Sequence, residues 1–159
     1  MSTTSALRSP SAVRIVGLIS IVAGLVLIVA GAVTWGLVRT QLVDENITVA
    51  EDAAAFGGQL VDGPLEAYYQ ADIINHHALD GSGGKTYAEM DREDPARATM
   101  MNASFLRASL FTSVIAFGVA AFAMGLGLLF VLVGWSMHVL GGRAVVAAPV
   151  VKTPVTANA

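Results

Sequence analysis

Three side chains spaced four apart, Asp72, His76 and Asp80, are the grouping in this sequence whose types most suggest chemistry. On a helix, positions i, i+4 and i+8 fall near one face, and an imidazole with a carboxylate one turn away can hold a divalent metal. His77 points about 100° away on the same helix and is no co-ligand without bending. A lone His/Asp pair is a weak motif. The competing expectation is a solvated acidic face with a histidine near the helix end. An iron centre of the oxygenase kind is short of ligands, since it needs two histidines and a carboxylate around one metal in a walled pocket. The chain has 3 histidines, of which His76 and His77 are adjacent and His138 lies far along the sequence. Ser82, in a glycine-rich turn, has no evident oriented base, and two acids near a histidine are not a triad. The absence of cysteine excludes thiolate nucleophiles, disulfides and cysteine metal sites. No catalytic residue and no cofactor is therefore expected.

The elements that would carry these residues are set by hydropathy. With 55% hydrophobic residues and a mean hydropathy of +0.66, the chain exceeds ordinary globular usage. The excess is concentrated. Ile15 to Val38 holds no charge, and Ala108 to Gly142 holds one titratable side chain, His138. A helix needs about 20 apolar residues to cross roughly 30 Å of hydrocarbon, and both runs exceed that. Helices satisfy their own backbone groups in lipid, whereas an unpaired strand does not, so the Val- and Ile-rich stretches are read as helical. The second run is over-long for one crossing, and its polar start, Ser109 to Ser113, is expected at headgroup level.

Charge sets the orientation. Arg8 and Arg14 precede the first run and Arg143 and Lys152 follow the second, without acids beside them. All 12 carboxylates lie between Asp44 and Asp94, beside Arg39, Lys85, Arg92, Arg97 and Arg107, which leaves the connecting segment strongly acidic. Lys and Arg stay cytoplasmic, so both ends are expected inside the plasma membrane and the connecting segment outside. Trp35 and Trp135, near span ends, suit the interface. A cleaved signal peptide is the competing view, because Ala30-Gly31-Ala32 resembles a cleavage site; the apolar run continues past it, which favours an uncleaved anchor. His138 is expected to be interfacial, and with no other ionisable residue inside either run there is no visible ion path. An acidic connecting segment and few basic residues at the ends argue against nucleic acid.

The expected organisation is a cytoplasmic tail (1–12), a transmembrane helix (13–38), an extracytoplasmic module (39–107), a second transmembrane helix (108–140) and a second cytoplasmic tail (141–159). The fold class is all-α: a two-helix transmembrane hairpin with a small, mainly helical module. Gly17, Gly24 and Gly31 recur every seven residues in the first span, and the second offers Gly118 and Gly125 seven apart with the small-residue pairs Ala121/Gly125 and Ala123/Gly127, so both stripes are candidate helix-packing faces; the competing expectation is that Gly and Ala are simply frequent in transmembrane helices. In the module, Asn46-Ile-Thr-Val49 alternates as a short strand would. Pro64 at a first helical position, with Gly81 closing, predicts a helix over 64–80 whose apolar stripe is Leu65, Tyr68, Tyr69, Ile73 and Ala78. Asp94-Pro95 reads as an N-cap and first-turn proline, beyond which nothing breaks a helix running into the second span. Asp91-Arg-Glu-Asp94 is either a solvated surface or an attraction for a basic partner or cation. Asn102-Ala-Ser104 matches a glycosylation sequon at chance level. So small and polar a module is expected to lean on the membrane, a protein partner or another copy of the chain.

The stretches Ala71-Asp-Ile-Ile-Asn-His-His-Ala-Leu79, Gly83-Gly-Lys-Thr-Tyr-Ala-Glu89, Asp91-Arg-Glu-Asp-Pro95 and Ala103-Ser-Phe-Leu-Arg-Ala-Ser-Leu-Phe111 resemble small two-span membrane proteins of actinobacteria, over roughly Arg8 to Met137. Members are often labelled as an aromatic ring-opening dioxygenase small subunit or as uncharacterised membrane proteins. The resemblance implies a Gram-positive plasma membrane and carries no catalytic residue across. The residues give the dioxygenase label no support. The leading expectation is a non-catalytic accessory or structural protein docking on a larger envelope or respiratory complex; the alternative is an extracytoplasmic metal-binding or sensing module using Asp72, His76 and Asp80, and the remote third is a dioxygenase-related subunit, as the family label implies.

Overall fold

A computed structural model describes residues 10–146; the expectations for 1–9 and 147–159, including the charges of Arg8 and Lys152, lie outside the described residues. The protein is helical, with no β-strand among the described residues: α1 (Pro10–Asp44), α2 (Pro64–Gly81), a single 3-10 turn (Tyr87–Glu89) and α3 (Arg97–Val146). Two helices, over Ser11–Asp44 and Arg97–Gly141, are long and apolar enough to cross a membrane. Helix begins and ends beyond the expected spans: α1 starts at Pro10 and α3 ends at Val146, inside stretches read as tails.

The described residues divide into two compact units, one of residues 10–28 with 125–146, the other of residues 29–124. In the first, α1 and α3 run antiparallel and touch through glycine. A Cβ on Gly17 would stand 2.6 Å from the Gly134 carbonyl oxygen, and a Cβ on Gly134 would stand 2.5 Å from that of Gly17. Gly24 and Gly127 repeat the arrangement one heptad along, each facing the other's carbonyl. The absence of side chains lets the backbones approach closely enough for weak Cα–H···O contacts, about 0.5–1 kcal/mol each.

The second unit holds the remaining packing. Gly31 faces the carbonyl of Ala120 and the side chain of Met124. Leu42, Leu110 and Phe117 of the long helices form one cluster with Val49, Val61, Ala67 and Ala71 of the segment between them. Trp35 meets Phe117 edge-on at 4.7 Å. Val49 and Val61 are almost fully buried, worth about 1.5–3 kcal/mol each relative to exposure.

The alternation at 46–49 yields a single antiparallel bridge, Thr48 to Leu60, rather than a strand. Val49 N–H donates to the Gln59 carbonyl at 2.8 Å and Val61 N–H to that of Ile47 at 2.8 Å. The Gly58 N–H also donates to the Val49 carbonyl at 2.9 Å, and the chain then reverses through Phe56 (φ 62°) and Gly58 (φ 73°) before regular strand pairing develops. In α2 the buried positions are Ala67 and Ala71, while Leu65 and Tyr68 of the expected stripe are exposed and Tyr69 is half-buried against Phe56. Small side chains allow the closest approach to the core, so the alanines take the inward face. At the start of α3, the Asp94 carboxylate accepts the Ala96 N–H at 2.9 Å, the capping bond its position suggests.

Candidate functional site

The face of α2 proposed to bind metal is occupied by local hydrogen bonding. His76 Nδ1 lies 3.0 Å from the carbonyl oxygen of Asp72 and 3.7 Å from its carboxylate. Asp80 stands eight residues from Asp72, roughly 12 Å along the axis, too far to share one ion with it. Among the described residues no group of three or more His, Cys, Asp or Glu side chains is placed to hold a metal. Asp72, His76 and Asp80 are thus not brought together as a ligand set.

His77 has the stronger tie. Its Nε2 lies 2.6 Å from Asp52 Oδ2, joining α2 to the loop after Val49 across 25 residues. Hydrogen bonding from His77 holds the Asp52 carboxyl below the usual aspartate range, against a smaller desolvation effect. The rotation that removes His77 from the Asp72 face is what turns it toward Asp52. A second link runs beside it, the Ala50 N–H donating to Gln70 Oε1 at 2.9 Å.

The turn before α3 is pinned by one arginine. Arg97 Nη1 donates to the carbonyls of Met90 at 2.6 Å and Tyr87 at 3.2 Å, and its guanidinium lies 4.1 Å from the Tyr87 ring centroid. The Thr86 backbone N–H and hydroxyl both donate to Glu89 Oε2 at 2.8 Å, and these bonds, backbone first, hold the Glu89 carboxyl below its usual range. Nothing in the sequence pattern had singled out Arg97.

Between α2 and the start of α3 lie two adjoining clefts of about 120 and 280 Å³, which share His77, Ala78 and Thr99 in their walls. Ser82 lines the smaller cleft, but its hydroxyl donates to the carbonyls of Lys85 at 2.5 Å and Leu79 at 3.1 Å, so it is engaged in closing the helix. Asn102, within the sequon, lines the larger cleft. His138 is half-buried, its Nδ1 enclosed without a hydrogen-bond partner.

Of the five glycines expected at a helix contact, Gly17, Gly24 and Gly31 stand in one. Gly118 and Gly125 do not: a Cβ on either meets open space, and α3 uses Gly127 and Gly134 instead. Gly118 and Gly125, like Gly127 and Gly134, are seven residues apart, and only the partner's position selects between the two pairs. Comparison with protein-family models, with curated proteins and with solved structures finds no match to this chain.

Proposed function

We propose that the chain is a non-catalytic accessory or structural protein of the plasma membrane, crossing the bilayer twice with both termini cytoplasmic and residues 39–107 outside. Its module docks on a larger envelope or respiratory membrane complex. The main support is a contrast in burial. The most apolar windows of α1 and α3 are only 17% buried, so most of their hydrophobic surface needs a covering of lipid. Four hydroxyls in these helices are satisfied without water: Thr34, Thr112, Ser113 and Ser136 each donate to a carbonyl four residues back.

The accessory role is supported by what the connecting segment does with its residues. Its buried side chains are apolar, its core is shared with Leu42, Leu110 and Phe117, and its charged pairs lie on the surface. Such a segment is built to be held in place and to present a surface. The likeness to actinobacterial two-span proteins fits the same envelope setting. The test is purification from native membranes in mild detergent, with mass spectrometry and metal analysis on one eluate. A reproducible stoichiometric partner is expected; a lone monomer, with nothing captured by crosslinking in cells, would overturn the docking role.

A further inference from the structure

We propose that the N-terminal half of α2 is an interfacial helix, laying Leu65 and Tyr68 into the boundary between lipid headgroups and acyl chains on the module's side of the bilayer. This rests on the two-span reading above and adds a lipid contact that the spans themselves do not require.

The level of α2 is fixed from both long helices. Arg39 follows the last residue of the first apolar run and Arg107 precedes the second, so these cations mark where α1 and α3 leave the hydrocarbon. The Arg39 guanidinium pairs with Asp62 at 2.6 Å, which holds the chain at that level two residues before α2 begins. One turn further in than Arg107 stands Phe111, and the Tyr68 ring meets it nearly at right angles with centroids 6.0 Å apart. The stretch 62–68 is thereby held at the boundary through both α1 and α3.

The exposed side chains of α2 then sort by type along its length. In the first half they are Leu65 (57% exposed) and Tyr68 (46%); in the second they are His76, His77 and Asp80. The apolar exposures occur where the helix is held at the bilayer, and the polar ones beyond it. Phe105, 64% exposed and half a turn before Arg107, extends the apolar surface of α3 to the same level. A tyrosine with an apolar body and a polar tip suits that depth. Continuity with the lipid-facing sides of α1 and α3 favours lipid over a protein as the occupant.

The absence of cysteine allows a single nitroxide label on the full chain. Leu65→Cys and Tyr68→Cys would be labelled beside two references, Leu37→Cys on the lipid-exposed side of α1 and Asp80→Cys on the far end of α2. The proteins would be placed in phosphatidylcholine–phosphatidylglycerol vesicles and probed by power saturation with oxygen and with a water-soluble nickel chelate. The expected oxygen-to-nickel accessibility ratio at 65 and 68 is several-fold above that at 80 and approaches that at 37. A ratio at 65 and 68 equal to that at 80 overturns the proposal by placing this face in water. Immobile labels shielded from both reagents overturn it in favour of a protein or a second copy of the chain. A water-like ratio at 37 itself shows that the two-span reading has failed and takes the proposal with it.

Discussion

Gly24 and Gly127 each place a carbonyl where the other's Cβ would be. A methyl at either position must push one backbone off the other, since the atom it meets first is a carbonyl oxygen, and shifting the Val131 or Ile28 side chain beside it does not remove that clash. Gly24→Ala and Gly127→Ala are each expected to destabilise the protein in detergent by about 1–3 kcal/mol, the usual range for overpacking. Gly118→Ala and Gly125→Ala, which meet open space, are expected to change little. Unfolding by graded denaturing detergent compares the four directly, and equal losses at all of them would count against this contact.

The same glycines show what the sequence carries and what it omits. Heptad spacing marks one face of α1 because its stripe of Gly17, Gly24 and Gly31 has no rival of the same kind. On α3 two stripes compete, and spacing is blind to which faces a neighbour. Pro64 and Gly81 bound α2 through chemistry local to the backbone, so its extent was legible, as was the Asp94 cap of α3. Its inward face was not, because size rather than hydropathy put Ala67 and Ala71 inside while Leu65 and Tyr68 stayed out. His77–Asp52 and Arg97–Met90 were hidden for another reason. Each depends on how the chain folds back, and no periodicity encodes that.

The His77–Asp52 pair gives a pH dependence whose sign is fixed. Asp52 has a lowered pKa in the folded protein, so its contribution is present above the ordinary aspartate value, about 3.9, and is lost as pH falls through the folded value. Both side chains are exposed, so the effect is small and screened by salt. His77→Ala should return the Asp52 carboxyl midpoint upward toward the ordinary range in a carbon-detected NMR titration. An unchanged midpoint would show that the hydrogen bond is not its cause.

Arg97 joins three things through one planar group: two carbonyls of the preceding turn and the face of Tyr87. Arg97→Ala is expected to cost on the order of 1–3 kcal/mol, the scale of charged hydrogen bonds, and to speed amide exchange across 86–96 while leaving α2 protected. Arg97→Lys should rescue only part, because an ammonium cannot both span the carbonyls and stack flat on the ring. Uniform exchange across the segment in all three proteins would remove Arg97 from this role.

Phe117 is nearly fully buried, meets Trp35 edge-on, and belongs to the cluster containing Val49, Val61, Ala67 and Ala71. Residues 39–107 therefore lack part of their own core when cut from the long helices, since Leu110 and Phe117 both lie beyond the cut. Excised as a peptide, this segment is expected to lose its cooperative unfolding transition and most of its helical circular dichroism in water. A small domain without those side chains has too little apolar burial to offset the entropy of ordering its chain. In the full-length protein, Phe117→Ala should destabilise by about 3 kcal/mol or more through the cavity it leaves and should raise amide exchange at Val49 and Val61. Because both valines are distant from position 117 in sequence, their loss of protection reports the shared core directly, whereas protection unchanged at both would show that the segment stands without it.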